Sequence, residues 1–112
     1  MTRYRKYNNK KVKIDGHTFD SIGESRRYQE LKLLEGAGEI SDLKLQPKFE
    51  LQPTFRKNGK THRAITYTTD FQYIENGKVI VEDFKGVRTQ VFRIKQKMFE
   101  HKFDDLELRI VN

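Results

Sequence analysis

Residues 67–86 read YTTDFQYIENGKVIVEDFKG, and they predict two antiparallel strands joined by a tight turn. Asn76-Gly77 favours a two-residue hairpin turn, because Asn and Gly adopt the left-handed backbone conformation that such turns require. We expect the first strand to run from about His62 to Ile74. The second strand, Lys78–Lys85, carries apolar side chains on both faces, which is typical of a central strand covered on both sides.

The segment that follows predicts a helix and then a closing strand. Apolar residues recur at helical spacing from about Thr89 to Lys102, and they alternate after that. The helical set is Val91, Phe92, Met98 and Phe99, and the alternating set is Leu106, Leu108 and Ile110. Because the last strand follows a helical crossover, we expect it to pair in parallel with one of the earlier strands.

Upstream of residues 67–86, the chain predicts a hairpin and a first helix. Asp15-Gly16 lies between two short alternating segments and is a common hairpin turn. Ser21 and Glu24 have the spacing of a capping box, apolar residues then recur at helical spacing, and Gly36 supplies a stop. We therefore expect the first helix to run from about Ile22 to Glu35.

Between this helix and residues 67–86 the pattern has period two. The residues that fall on one face are Leu43, Leu45, Phe49, Leu51 and Phe55. Pro47 and Pro53 cannot donate to a ladder, so we expect this strand to be an edge strand or to be bent and interrupted. Asn58-Gly59 favours a turn into the next strand. Together these elements predict one α/β domain over residues 1–112 with a mixed, mostly antiparallel sheet, in which residues 1–20 form a basic hairpin arm.

The composition favours a protein that binds a polyanion. The 112 residues include 23 Lys and Arg against 16 Asp and Glu, a formal net charge of +7 that attracts phosphate. The chain has no cysteine, which excludes disulfides and thiolate zinc sites, so any metal would be bound by oxygen or histidine. It also has no apolar run long enough to span a bilayer and no secretion signal at its start. We therefore expect a soluble, cytoplasmic protein.

Asp70, Asp83 and Lys85 are the residues that we expect to carry chemistry. Asp70 ends one strand segment and Asp83-Phe84-Lys85 ends the next, so the hairpin between them brings two carboxylates and an amine together. Clustered carboxylates hold Mg²⁺, which serves phosphodiester hydrolysis, and a neighbouring lysine can orient or deprotonate water or neutralise the phosphate. The other interpretation is an ordinary exposed ion pair between Asp83 and Lys85.

Glu24, Lys95 and Gln96 are further candidates. Glu24 lies on the apolar stripe of the first helix, where it is either an additional acid of the site or only the capping residue. Lys95 lies on the apolar stripe of the second helix, where it either extends to solvent or reaches the carboxylates or a DNA phosphate. Gln96 is a neighbouring alternative for the same role. The histidines and serines predict no chemistry, because no pair has metal-ligand spacing and no serine lies in a nucleophile elbow.

These residues resemble the PD-(D/E)xK nuclease superfamily, through Thr69-Asp70-Phe71 followed by Val81-Glu82-Asp83-Phe84-Lys85-Gly86. The chain also looks like a family of small phage and prophage proteins with that fold, over nearly its whole length. The similar stretches are KYNNKKVKIDGHTFDSIGE (6–24), LQPKFELQP (45–53) and YTTDFQYIENGKVIVEDFKG (67–86).

The resemblance implies a restriction-endonuclease-like core that binds Mg²⁺ or Mn²⁺, with Lys85 assisting the water. The ligands that it implies are Asp70, Asp83, Glu24 and the backbone carbonyl of Phe84, and the auxiliary residues are Lys95, Gln96 and Glu82. Thr69 stands where the superfamily often has proline, a position that shapes the turn. Glu82 adjoins Asp83, so either acid could bind the metal, but strand alternation favours Asp83 because it shares a face with Lys85.

The resulting hypothesis is a Mg²⁺-dependent DNA endonuclease that acts in recombination, replication or packaging, on branched DNA among other candidates. A homodimer would supply one active site for each strand. The alternative is a non-catalytic basic module that binds DNA without metal. The expected DNA contacts are Arg3, Arg5, Lys6, Lys10, Lys11, Arg56, Lys57, Lys60, Arg63 and Arg88.

Overall fold

The computed structural model describes residues 10–112, so residues 1–9 of the predicted arm lie outside the described residues. In chain order the elements are β1 (Val12–Ile14), β2 (His17–Phe19), α1 (Ile22–Gly36), β3 (Ser41–Leu45), β4 (Lys48–Gln52), β5 (Phe55–Lys57), β6 (Lys60–His62), β7 (Ile65–Thr68), β8 (Phe71–Glu75), β9 (Lys78–Phe84), α2 (Gln90–Lys102) and β10 (Glu107–Val111). In this described range, neither helix has the length and apolar character needed to cross a membrane.

A four-stranded mixed sheet forms the centre of the fold, in the order β10-β9-β8-β3. β9 pairs antiparallel with β8 and parallel with β10, and β8 pairs antiparallel with β3. Asn76 (φ 53°) and Gly77 (φ 77°) form the turn between β8 and β9 with the left-handed conformations that it requires. These pairings confirm the α/β class, the mixed sheet, this turn and the parallel closing strand.

Strand β9 is covered on both faces, as its apolar pattern predicts. Ile80 belongs to an apolar cluster that includes Tyr28 and Leu31 of α1. The next residue, Val81, belongs to a second cluster that includes Phe99 of α2. Because consecutive residues of a strand point to opposite faces, the sheet lies as a middle layer between the two helices. At the carboxyl end of β9, successive side chains therefore point alternately to the α1 side and to the α2 side of the sheet.

The single strand predicted from His62 to Ile74 is wrong, because this stretch forms β6, β7 and β8 in three different sheets. The interruption between β7 and β8 falls at Thr69 and Asp70. Their N–H groups donate to other segments, from Thr69 to the Pro47 carbonyl (3.1 Å) and from Asp70 to the Glu82 carbonyl (3.2 Å). This bend lets β7 pair with β4 while β8 pairs with β3, and it places Asp70 where the chain passes from one sheet to the other.

The alternating stretch from Leu43 to Phe55 is interrupted at both prolines, as predicted, and it forms β3, β4 and β5. The prediction that these residues share one apolar face is wrong, because their side chains lie in different environments. Leu43 and Leu45 pack against the α1 cluster, Phe49 and Leu51 belong with the α2 cluster, and Phe55 is exposed. Each proline bends the chain, so that successive parts of the stretch face different cores.

The remaining predicted elements are confirmed, with one correction. Asp15-Gly16 and Asn58-Gly59 form the turns of the β1–β2 and β5–β6 hairpins with positive φ at all four residues. Helix α2 begins after Thr89, whose hydroxyl accepts the Phe92 N–H, and ends at Lys102. Val91, which the sequence places on the apolar stripe of α2, is 62% exposed. It lies on the first turn of the helix.

Helix α1 is held against the end of β9 by a close backbone approach. Ser21 caps the helix by accepting the Glu24 N–H at 3.1 Å, which confirms the predicted start. At Gly23, a Cβ would lie 2.9 Å from Cε1 of Phe84 and nearer still to the tip of that ring. The absence of a side chain at Gly23 therefore lets α1 approach β9 directly beside Glu24.

We expect Gly23→Ala to lower the free energy of unfolding by about 1 kcal/mol or more, because the added methyl overlaps the Phe84 ring. The matched control is Gly36→Ala, since Gly36 lies in the same helix with no neighbouring atom within 4 Å of its added Cβ. That control should raise the free energy of unfolding by roughly 0.5–1 kcal/mol. Urea denaturation of both variants tests this, and equal stabilisation by both would contradict the packing argument.

Candidate functional site

Asp70 and Asp83 meet at the carboxyl end of the central strand β9. Asp70 lies in the bend between β7 and β8, and its Oδ2 accepts the Phe84 N–H at 2.6 Å. Its own N–H donates to the Glu82 carbonyl, so Asp70 is bound to β9 through both its side chain and its backbone. These bonds hold the Asp70 side chain beside Asp83, as the predicted hairpin requires.

Asp83 is buried and is held by two side chains. It is 2% exposed, and its Oδ2 accepts the Tyr67 hydroxyl at 2.6 Å. Lys85 Nζ lies 3.5 Å from the same oxygen, and it also lies 5.0 Å from the centroid of the Phe92 ring. Because Asp83 is buried, this contact differs from the fully exposed ion pair that was the other interpretation of the spacing.

The pKa of Asp70 is raised to about 8, first by burial and then by a hydrogen bond with Asp83. The negative charges of Asp83 and Glu24 raise it further, whereas the bond from the Phe84 N–H lowers it. At neutral pH the Asp70–Asp83 pair therefore retains a proton. Burial followed by the bond to Asp83 also raises the pKa of the Tyr67 hydroxyl, which remains a donor.

Glu24 adds a third carboxyl group, from α1. It is 6% exposed, and burial followed by the nearby Asp20 carboxylate raises its pKa. A hydrogen bond with Asp70 lowers that pKa, and the charge of Asp83 raises it. Glu24 also donates its backbone N–H to the Ser21 cap, so the capping position and membership of the acid cluster occur together. We call Glu24, Asp70 and Asp83 the acid cluster.

A polar cleft with a volume of about 340 Å³ opens between β7 and α2, and it is lined by Tyr67 and Lys85, the two residues that contact Asp83. Both amines that the sequence singles out, Lys85 and Lys95, line it. The other lining residues are Thr66, Tyr67, Thr68, Thr89, Val91 and Phe92. Lys95 is thus half-buried at the wall of the cleft, and Gln96 is half-buried but is not among the lining residues. The two lysines and the three threonine hydroxyls suit this cleft to an anion.

Glu82 lies on the opposite face of β9 and is fully buried. The Arg27 guanidinium donates to both of its oxygens, from Nε at 2.6 Å and from Nη2 at 2.9 Å, and the Tyr73 hydroxyl donates to Oε1 at 2.8 Å. Because these bonds occupy Glu82, it is bound within the fold and directed away from Lys85. The structure therefore separates the two adjacent acids as strand alternation predicts.

Tyr67, Tyr73 and Arg27 are polar partners that the sequence reasoning missed. It gave the two tyrosines no polar role, although a buried tyrosine hydroxyl needs a hydrogen-bond partner. Arg27 precedes the buried Tyr28, and a buried Glu82 in β9 requires a counter-charge. Those requirements are the signals that could have identified them, but the sequence does not say which residues are paired.

The predicted DNA contacts lie in three places. Arg3, Arg5 and Lys6 lie outside the described residues. Lys10 and Lys11 precede β1, Arg88 precedes α2, and all three are exposed. Arg56, Lys57, Lys60 and Arg63 are exposed on and beside the β5–β6 hairpin. The structure thus does not place the hairpin cations among the residues that line the polar cleft.

Residues 4–112 match the model of a protein family described as "Protein of unknown function (DUF1064)". No curated protein matches the chain. The match extends over the acid cluster, the polar cleft and the β5–β6 hairpin, so all three belong to the part of the chain that the family model describes.

We expect Asp70→Asn to remove a pH dependence of stability in the presence of EDTA. The pKa of Asp70 is about 8 in the folded protein against an ordinary value of 3.8, so its protonation stabilises the fold. This contribution is fully present below about pH 4 and is lost as the pH rises to about 8. Between those limits the free energy of unfolding of wild type should fall by about 2 kcal/mol or more relative to Asp70→Asn.

Urea denaturation from pH 4 to 9 measures this difference. Asp42→Asn is the matched control, because Asp42 is exposed and lies 3.7 Å from Lys44 in a surface pair. If the free energy of unfolding changed with pH in the same way for wild type and Asp70→Asn, the acid cluster would not retain the proton that we infer.

Proposed function

The chain belongs to the DUF1064 family, and we propose that it is a metal-dependent DNA endonuclease with a restriction-endonuclease-like core. The observation that carries the proposal is the acid cluster at the end of β9, with Lys85 Nζ 3.5 Å from Asp83. Asp83 of β9, Glu24 of α1 and Asp70 of the bend before β8 interact with one another, and the lysine next to Asp83 lines the polar cleft. Clustered acids with a neighbouring amine suit the metal-dependent hydrolysis of a phosphodiester.

The chemistry of the donor set supports a divalent cation. Mg²⁺ and Mn²⁺ prefer carboxylate oxygens, and the mutual repulsion that helps to raise the pKa of Asp70 is what a cation would remove. Among residues 10–112, no three His, Cys, Asp or Glu side chains converge tightly enough to hold a metal ion. The acids are instead hydrogen-bonded to one another through Asp70.

In the proposed site, Asp70, Asp83 and Glu24 would hold the cation, and the Phe84 backbone carbonyl would be a further ligand. The cation would supply charge stabilisation at the phosphate and an activated water near neutral pH. Tyr67 keeps the Asp83 carboxylate oriented through its 2.6 Å bond. Lys85 orients the attacking water, accepts its proton or neutralises the developing charge. The Phe92 ring at 5.0 Å restrains the Lys85 amine beside the acid cluster.

The polar cleft supports a phosphodiester as the substrate. Its Lys85 and Lys95 amines place positive charge beside the acids, and Thr66, Thr68 and Thr89 line the same space. A phosphate of the strand to be cut would occupy this cleft, with Lys95 as a phosphate contact. Gln96 acts only indirectly in this scheme, since it does not line the cleft. Glu82 also acts only indirectly, because Arg27 and Tyr73 bind it on the opposite face of β9.

The proposal extends to a phage-encoded cytoplasmic enzyme of recombination, replication or packaging that cuts branched DNA as a homodimer. The resemblance to small phage nucleases supports this part. Within residues 10–112, α1 and α2 both pack on the central sheet, so recognition of DNA shape suits this domain better than recognition of a long sequence. Two copies would supply one acid cluster for each strand.

A non-catalytic DNA-binding module is the second candidate. The observation that favours it is the absence, among the described residues, of three side chains already arranged around a metal position. In this case the exposed cations bind phosphate without metal, and the acid cluster has only a structural role.

We expect purified protein with Mg²⁺ or Mn²⁺ to cut at least one DNA among linear, single-stranded, flapped and four-way substrates. Asp83→Asn should abolish cutting, and Lys85→Ala should slow it by about 100-fold or more, because a positioned acid–base group contributes that much. Asp42→Asn and Lys97→Ala are matched controls on exposed positions and should cut like wild type. DNA binding without cutting on every substrate would favour the second candidate.

We also expect Mg²⁺ to raise the Tm of wild type at pH 8 by about 5 °C or more, since a ligand that binds only the folded state stabilises it. Asp70→Asn and Asp83→Asn should not respond, whereas Asp42→Asn should respond as wild type does. Differential scanning fluorimetry with and without Mg²⁺ measures the shift. An equal response in all four proteins would place the bound metal outside the acid cluster.

A further inference from the structure

The β5–β6 hairpin stands apart from both apolar clusters. Every residue from Pro53 to Arg63 is exposed, and β5 and β6 form a two-stranded sheet of their own. Neither cluster includes a side chain from this range. A two-stranded hairpin is at best marginally stable in water. Burial of apolar surface therefore does not account for its presence in this fold.

Local contacts give the hairpin a preformed shape. The Thr54 hydroxyl accepts the Ala64 N–H at 3.0 Å across its base. The rings of Phe55 and His62 stack with centroids 4.8 Å apart and planes at 15°. At the tip, the Arg56 guanidinium donates to the Gly59 carbonyl at 3.0 Å. Arg56 therefore helps to fix the shape of the tip, and it remains exposed.

The charge of the hairpin has one sign. The exposed range 53–63 contains Arg56, Lys57, Lys60 and Arg63 and no acid. Lys57 and Lys60 pair directly across the last rung before the turn. Like charges directly opposite each other destabilise a hairpin. This pair therefore opposes folding of the hairpin unless an anion lies beside it.

The geometry of the hairpin fits duplex DNA. Directly paired residues share a face, so the two lysines at the tip and the Phe55–His62 stack lie on one side of the ribbon. A two-stranded ribbon enters the major groove of B-DNA, which is about 12 Å wide and is bordered by phosphates. With the ribbon in the groove, Lys57 and Lys60 at the tip contact the phosphate backbone. The Phe55–His62 stack lies further from the turn.

We propose that the β5–β6 hairpin is a DNA-binding finger that enters a groove of duplex DNA, with Lys57 and Lys60 as phosphate contacts. This inference deepens the proposed function and rests on it for the identity of the polyanion. Before a metal binds, the acid cluster repels phosphate, so affinity for DNA must come from another surface. The hairpin supplies that affinity in the absence of metal.

The test compares Lys57→Gln/Lys60→Gln with Lys32→Gln/Lys44→Gln in the full chain. The control pair removes the same two charges from exposed positions on α1 and β3, where each lysine lies in a surface ion pair. Fluorescence anisotropy with a labelled duplex of about 20 base pairs in EDTA gives Kd between about 50 and 200 mM NaCl. Thermal unfolding establishes that both variants retain the wild-type fold.

We expect the hairpin variant to bind roughly 10- to 100-fold more weakly at about 0.1 M salt, with a salt slope smaller by about 2. The control variant should keep the wild-type slope. Equal slopes for the two variants would overturn the inference. Displacement of the duplex by polyglutamate at equal charge in wild type would also overturn it, since an acidic protein would then be the better partner.

The cleavage assay separates this inference from the proposed function. If the hairpin variant loses binding and no protein cuts any DNA, DNA binding by the hairpin is supported and the nuclease activity is contradicted. If the hairpin variant binds like wild type while Asp83→Asn abolishes cutting, the nuclease activity is supported and DNA binding by the hairpin is contradicted.

Discussion

The middle of strand β9 is covered on both faces, so every polar side chain that is buried there needs a partner within the protein. Its sequence brings two acids, Glu82 and Asp83, to the buried end of the strand, one for each face. A carboxylate without a partner in such surroundings would cost several kcal/mol. The two faces of β9 differ in how they meet this requirement.

On the α1 face the solution is complete. Arg27 donates twice to Glu82 and Tyr73 donates once, so a full counter-charge and three hydrogen bonds satisfy this acid. Such a pair is rigid, and losing either partner would leave a buried charge. Its position holds α1 against β9, next to the close approach of Gly23 to Phe84. Glu24 is thereby brought to the end of the strand.

On the α2 face the solution is incomplete. Asp83 receives a hydroxyl from Tyr67 and one lysine at 3.5 Å, but it also meets Asp70, and Asp70 meets Glu24. Burial first, and then the neighbouring acids Asp83 and Glu24, raise the pKa of Asp70. Arg27 neutralises Glu82 through two hydrogen bonds, whereas the amine of Lys85 lies 3.5 Å from Asp83. The contrast between the two faces is the physical basis for assigning chemistry to the α2 side, where the polar cleft also opens.

The sequence by itself determined the local elements and the chemical character of the site. Turn residues, caps and hydrophobic period predicted both helices, three hairpin turns, the central strand and the parallel closing strand, because each depends on interactions within a few residues. Strand alternation also separated Asp83 from Glu82. Tertiary structure alone decided the rest. The bend at Thr69-Asp70 and the division of the stretch from Leu43 to Phe55 depend on which distant strands pair, and the partners Tyr67 and Arg27 depend on packing between elements far apart in sequence. No pattern within a few residues of sequence specifies which distant segments pair.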